Sequence, residues 1–253
     1  MKIANGIHVV ECPFIVTETT TSCAIVDKSI ALIDAGLSES PEKAIYPYIR
    51  KIGREPSEIS LIILTHAHFD HCAGVARIKK DTGCKVCVHE SGKQYLEDPR
   101  LMLKHLRERF PITYTEWEWI PDFEPTQADF VFKDGDKLYF DGHELRALHV
   151  PGHSQDSSCI IEEEQGVYIS GDSVQGKGEK RPLLFQSSTE YVKSMQRLLN
   201  ESMQVLVTGH PFPPFNKTVL TEKESREYVK HSLKGIEELR NSVESILKKP
   251  RNL

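Results

Sequence analysis

The sequence predicts an α/β protein made of two related halves and closed by a long helix. Three observations carry this. Short β-like runs bounded by turn residues recur through the chain, with helical stretches between them. Two hairpins look alike: Ser22-Cys23-Ala24-Ile25 leads through a turn to Ala31-Leu32-Ile33-Asp34-Ala35-Gly36, and Ser158-Cys159-Ile160-Ile161 leads to Val167-Tyr168-Ile169-Ser170-Gly171-Asp172. Each ends near an aspartate, which suggests two related half-domains facing each other, the alternative being the likeness of any two β-hairpins, since the echo has no strict period. Finally, Val229, Leu233, Ile236, Leu239, Val243 and Ile246 recur every three or four residues, the period of one amphipathic helix from Thr221 to Lys249.

In chain order, Ile7–Val10, Cys23–Val26 and Ile30–Asp34 read as strands, with Asp27-Lys28-Ser29 as a hairpin turn. Pro41–Ile52 reads as a helix, with Ser40 as N-cap and proline at its first position. Leu61–Leu64 is a short buried strand running into Thr65-His66. Gly74–Asp81 fits a helix with Gly83 past its end. Residues 92–128 break the rhythm. They hold Trp117 and Trp119, with Tyr95, Phe110, Tyr114 and Phe123, and read as an aromatic cap or insertion. Strands resume at Asp129–Phe132, Lys137–Phe140 and Glu144–Val150, with turn signals at Asp134-Gly135 and Asp141-Gly142. Thr221 and Glu224 form a capping-box pattern for the last helix. The expected division is a body over 1–215 and a helix over 216–253 packed on that body or on a partner, which leaves a homodimer open.

Composition bounds the function. Of 253 residues, 39% are hydrophobic and 27% charged, enough to bury a large core and not the balance of a disordered chain. No apolar run approaches the ~20 residues of a membrane span. The N-terminus lacks the pattern of a signal peptide. Net charge is −5, which disfavours nonspecific nucleic-acid binding. The six cysteines, Cys12, Cys23, Cys72, Cys84, Cys87 and Cys159, are too sparse for a disulfide framework, so they read as reduced and the protein as cytoplasmic. Cys84 and Cys87 sit three apart in a strand-like run and face opposite sides, so they read as two ordinary buried thiols.

The sharpest feature is Thr65-His66-Ala67-His68-Phe69-Asp70-His71. Neutral imidazoles and carboxylates are the ligands that zinc, iron and manganese take. His66 and His68, two apart in an extended segment, point to one side and can grip one ion. Asp70 and His71, past a turn, can reach a second. Further ligand candidates follow, each on a strand end beside a glycine: His153 in Gly152-His153, Asp172 in Gly171-Asp172 and His210 in Gly209-His210. Seven ligands suit two metals if one carboxylate bridges: His66, His68 and His153 on the first, Asp70, His71 and His210 on the second, and Asp172 between. The other histidines lack this context. His8, His143 and His231 read as surface or edge residues, His105 lies in the cap, and His149 alternates with the core face of its strand. His89 is the one retained as a pocket candidate.

In order and spacing over residues 5–215, this constellation resembles the metallo-β-lactamase superfamily. The resemblance implies an αββα sandwich of two mixed sheets with a dinuclear site at the rim between them, and it matches Asp34 to the aspartate the family places behind its ligands. Where the commonest zinc β-lactamases carry a cysteine ligand this chain has Asp172, which argues against antibiotic hydrolysis. Where diiron flavoprotein relatives carry glutamate it has His68, which argues against oxygen or nitric oxide reduction. The ligand set is similar to that of glyoxalase II, acyl-homoserine lactonases and RNase-like hydrolases. Gly171–Gly178 and the helical tail look most like the lactamase-like endoribonuclease branch.

Two adjacent cations, expected as zinc with iron or manganese as alternatives, would activate water for attack on a carbonyl or phosphorus. Asp70 and Asp172 are then the catalytic candidates. Tyr191, in the helix-like stretch Thr189–Leu199, is a candidate oxyanion donor, with packing as a buried aromatic the competing reading. The first substrate class is a small ester, thioester or lactone. Phosphodiester or RNA cleavage is the alternative, for which Lys177, Lys180 and Arg181 could hold phosphate. A mono-iron persulfide dioxygenase is a third reading.

Overall fold

The computed structural model describes residues 1–14, 18–109, 123–178 and 182–247. Its first half builds a seven-stranded sheet whose strands lie in chain order: β1 (Lys2–Ala4), β2 (Ile7–Phe14), β3 (Glu18–Val26), β4 (Ile30–Ile33), β5 (Ile59–Ile63), β6 (Lys85–His89) and β7 (Phe130–Phe132). The hairpins make β1 to β4 antiparallel. The crossovers then make β4 to β7 parallel. The second half builds a six-stranded sheet from β8 (Lys137–Phe140), β9 (His143–His149), β10 (Ser158–Glu162), β11 (Val167–Gly171), β12 (Val205–Thr208) and β13 (Val219–Thr221), in the order β13-β12-β11-β10-β9-β8. Only β11 and β12 pair in parallel there.

Side-chain alternation sorts the core into three layers. Ile30 and Leu32 of β4 face outward to α1 (Tyr46–Lys51), the turn before it and α3 (Val75–Thr82), where Ile45, Ile49, Val75 and Ile78 cover them. Ala31 and Ile33, their neighbours, face inward and meet Leu145, Ala147, Ile160 and Val207 of the other sheet. Cys159 and Ile161 of β10 face out again, under α6 (Ser188–Leu199) and α7 (Glu222–Leu247). Helix, sheet, sheet and helix thus follow one another, the two mixed sheets of an αββα sandwich. The remaining helices are α2 (Phe69–Cys72), α4 (Lys93–Glu97) and α5 (Pro99–Arg109). Gly83 closes α3 at φ +71°.

Several elements depart from the sequence reading. Residues 41–52 are not one α-helix: Pro41–Ile45 form a π-helical turn that passes into α1. Ser40 is itself helical and caps nothing, because its hydroxyl accepts the Leu37 N–H at 2.9 Å instead. His8 is not a surface residue. It is buried against Tyr48, with Nδ1 and the phenol oxygen 2.9 Å apart. Thr221 ends a strand, β13, that the sequence reading lacks. Its amide and hydroxyl both donate to Glu224 at 2.9 Å, so half of the expected capping box forms. The described ends of the 92–128 stretch, Leu96, Met102, Leu106 and Phe123, pack into the outer cluster of the first sheet. Phe110, Tyr114, Trp117 and Trp119 lie outside the described residues. Cys84 and Cys87 are both buried and unpaired, one in the outer and one in the inner layer. Among the described residues no helix is long and apolar enough to cross a membrane.

Candidate metal centre

The strand ends at one rim of the sandwich deliver the seven candidate ligands. β5 ends at Ile63, and the extended segment behind it carries His66 and His68 before α2 turns Asp70 and His71 inward. His153 sits on the loop from β9 to β10, Asp172 directly after β11, and His210 two residues after β12. All seven side chains are buried. Two glycines let these backbones close in. At Gly152, φ is +141° and an added Cβ would fall 2.5 Å from the Tyr191 backbone. At Gly209 it would fall 2.1 Å from Asp172 Oδ1.

The ligand-type atoms form two groups. His66, His68 and His153 make one, and Asp70, His71, Asp172 and His210 the other, each with its nitrogens and oxygens within 4.8 Å of one another. Asp172 stands between them. Its Oδ2 lies 3.6 Å from His153 Nε2 and 3.5 Å from His210 Nε2, and its Oδ1 lies 3.4 Å from His71 Nε2. In the first group His68 Nδ1 and His153 Nε2 converge to 2.9 Å. The opposite face of four of the five rings is anchored. His66 Nδ1 donates to Thr65 Oγ1 at 3.1 Å, His71 Nδ1 to Asp34 Oδ2 at 2.8 Å, His153 Nδ1 to the Leu183 carbonyl at 2.7 Å and His210 Nδ1 to the Thr19 carbonyl at 2.9 Å. Each such bond keeps a proton on Nδ1 and turns Nε2 toward the centre.

The donor set fits cations. His66 Nε2, His71 Nε2 and Asp172 Oδ1 are buried and have no hydrogen-bond partner among the described residues, a cost that a cation would remove. The electrostatics differ between the groups. Burial, then the neighbouring imidazoles, holds His66 and His68 well below their ordinary range, and burial lowers His153 as well, so this group presents neutral nitrogens. In the second group burial opposes charge but loses. Asp70 and Asp172 stay ionised well below the usual carboxylate range because His71 and His210 face them. Those carboxylates in turn raise His71 well above its usual value and lift His210 to about 10.

Asp34, at φ +65°, turns its carboxylate back under the centre. It accepts the Thr65 N–H at 2.8 Å, the Thr65 hydroxyl at 2.7 Å and the His71 imidazole. Tyr191 is different. It is fully buried among Met195, Leu198, Tyr228 and Val229, in the layer between the second sheet and its helices, which is the packing alternative. Lys177 is exposed and lines a groove on α7 with His231, Lys234 and Glu238, and Lys180 and Arg181 lie outside the described residues. His89 is buried in a stack with His149, ring centroids 4.1 Å apart, and not among the ligand groups. The sequence reading missed Phe14, Phe185 and Phe212. Phe14 and Phe212 pack on His210 at 5.1 and 5.3 Å, and Phe185 packs on His68 at 5.3 Å. It also missed Gln175, whose amide nitrogen donates to the Asp172 and Leu183 carbonyls at 3.0 Å. The nearness in sequence of Phe212 to His210 and of Gln175 to Asp172 is the signal that could have pointed to two of these.

The chain is similar to known proteins. The family model described as "Metallo-beta-lactamase superfamily" matches residues 16–210. An atrochrysone carboxyl ACP thioesterase of Claviceps purpurea is 28% identical over 174 residues, 67% of this chain and 45% of its own length. Acyl-coenzyme A thioesterase MBLAC2 of Gallus gallus is 27% identical over 183 residues, 66% of this chain and 62% of its own. The chain spans about half the length of the curated relatives it matches. Among solved structures, a metallo-beta-lactamase family protein from Thermus thermophilus superposes with a TM-score of 0.76 at 20% identity, covering 98% of this chain and 84% of the other. With its two facing sheets, its rim of histidines and aspartates, and a family match across most of its length, the chain belongs to the metallo-β-lactamase superfamily.

Proposed function

We infer that this chain is a metal-dependent hydrolase acting on a small thioester, ester or lactone, with a thioester favoured. The observation that carries the reading is the position of Asp172, within 3.6 Å of nitrogens in both ligand groups. A carboxylate placed there would be within reach of two cations at once. His66, His68 and His153 would hold the first, Asp70, His71 and His210 the second, and Asp172 would bridge. Zinc suits this nitrogen-rich set, and iron and manganese are compatible with it. When bound, a pair of such ions acidifies water toward neutral pH and neutralises the oxyanion and leaving group of acyl transfer. Asp70 orients the attacking water and takes its proton. Water adds to the carbonyl carbon, the carbon–sulfur bond breaks, and the proton passes to the departing thiolate. The buried walls around the centre exclude bulk water and strengthen every charge interaction within it.

The thioester preference rests on the thioesterase activities by which the Claviceps and Gallus relatives are named, and the net charge of −5 disfavours nonspecific nucleic-acid binding. A complete second ligand group supports two ions over the single iron of a persulfide dioxygenase. Six unpaired, buried cysteines support a reducing, cytoplasmic setting.

Elemental analysis of chain purified without chelator should find about two zinc ions per chain. One iron per chain would overturn the hydrolase reading. A panel of acyl thioesters, lactones and bis-nitrophenyl phosphate should show thioesters turned over fastest. Asp172→Ala should lose about 10³-fold or more in kcat/KM together with metal, and a variant that kept full activity would refute the bridge.

A further inference from the structure

We propose that Asp156 is a positioning residue that locks His66, His68 and His153 into a single three-imidazole unit. This rests on reading those three side chains as metal ligands. Asp156 is almost wholly buried, at 1% exposure, on the loop from β9 to β10. Its Oδ2 accepts the Ala67 N–H at 2.8 Å, from the one residue between His66 and His68. Its Oδ1 accepts the Ser154 hydroxyl at 2.7 Å, from the residue after His153. Ser154 is held in turn by Ser157, whose hydroxyl oxygen accepts the Ser154 N–H at 3.0 Å. One carboxylate thus joins the ligand-bearing segment of the first sheet to the ligand-bearing loop of the second.

The position of the bond matters more than its strength. Fixing the Ala67 peptide sets the directions of the Cα–Cβ bonds on both sides, so His66 and His68 are aimed together. A second bond across the sheets, Ser158 N–H to the Thr65 carbonyl at 2.9 Å, supports the segment one residue before the ligands. A third segment closes the cradle. An added Cβ at Gly92 would fall 2.3 Å from Asp156 Oδ2, so the loop between β6 and α4 leaves the carboxylate no room to swing away from Ala67. Asp34 plays the matching part on the other side, gripping Thr65 and His71. Two buried carboxylates, one from each half of the chain, therefore hold the Thr65–His71 segment, Asp34 at its two ends and Asp156 at Ala67 between them.

The test is metal uptake, read without any substrate. Apo protein is titrated with cobalt(II), following the absorption spectrum, the affinities by chelator competition and the hyperfine-shifted imidazole N–H signals. Asp156→Ala should weaken one of two sites by about 10–100-fold and perturb the signals of His66, His68 and His153, with those of His71 and His210 retained. Asp156→Asn, which keeps an acceptor for Ala67 N–H and can donate to Ser154, should recover most of that loss. Gly92→Ala, which crowds the carboxylate, should reproduce the defect of Asp156→Ala in milder form. Should Asp156→Ala fail to fold, Asp156→Asn and Gly92→Ala carry the test through their effect on the first site alone. Unchanged cobalt affinity in every variant would overturn the assignment. So would equal loss at both sites, in step with the fall in melting temperature of a buried control such as Ile161→Ala. Failure of the thioester panel would leave the assignment standing, whereas wild-type chain that takes up no cobalt would overturn both.

Discussion

At the residue scale the centre is set by what stands behind the imidazoles. A ring nitrogen facing the centre is useful only if its partner nitrogen carries the proton, and that is decided by an acceptor on the far side. For His71 the acceptor is Asp34 Oδ2, which also holds the Thr65 hydroxyl. Asp34→Asn should therefore lower metal affinity about 10–100-fold at the second site, because an amide nitrogen facing His71 Nδ1 cannot accept its proton. Competition with a chromophoric chelator reads this directly, and unchanged affinity would show the carboxylate to be dispensable. The histidines and aspartates themselves were legible in the sequence because ligand chemistry is local and the spacing of 66, 68, 70 and 71 is rare. Asp156 was not legible, because its partner Ala67 is 89 positions away and offers only a backbone N–H.

At the element scale, each strand of the two sheets divides its side chains between layers, and each helix must cover one. α7 does so with half its length. Tyr228, Val229, Ser232 and Ile236 are buried, whereas Val243, Ile246 and Leu247 are 48%, 66% and 69% exposed. Deleting residues 241–253 should leave the melting temperature within a few degrees of wild type, whereas Ile236→Ala should cost about 2–4 kcal/mol by opening the layer over β12. Differential scanning calorimetry separates the two outcomes. The β6 and β9 ends carry a second consequence. Burial, and then the stacked His149 ring, holds His89 down at about 4. In the unfolded chain it titrates near its ordinary 6.5. Its neutral form is thus favoured by the fold, so its contribution is complete above about 6.5 and is lost as pH falls towards 4. Allowing for solvent screening, this is on the order of 1–2 kcal/mol. Urea unfolding of metal-loaded protein at pH 7.5 and pH 5 should show that slope in wild type and a shallower one in His89→Gln.

At the scale of the whole molecule, the centre draws on both halves of the chain. Asp70, His71 and Asp34 come from the first half of the chain, and His153, Asp172 and His210 from the second. Cations gripped from both sides should act as a clasp between the halves. Removal with EDTA should lower the melting temperature, and added zinc should restore it in a concentration-dependent way, by about 2.7 kcal/mol at a hundredfold excess over Kd. A melting curve indifferent to chelator would argue against a clasp. Without metal, the carboxylates of the second group hold His71 and His210 charged. Metal entering that group must displace those protons, so uptake should weaken as pH falls.

The sequence by itself determined the elements whose signals are local: strands with alternating apolar residues, the helix from the low 220s, and the candidate ligand residues with the glycine beside each downstream one. It carried the family resemblance for the same reason, since a constellation ordered along the chain survives as a pattern. Tertiary structure decided what depends on two distant segments meeting. Ser40 gave up its cap because Leu37 N–H competed for its hydroxyl, and His8 was drawn inside by Tyr48. Asp172 came between the two ligand groups, and Asp156 tied their supports together, only because two sheets from different halves of the chain pack face to face and bring their strand ends to a common rim. Periodicity fixes which way a side chain points along its own strand, and it carries no information about which strand lies opposite.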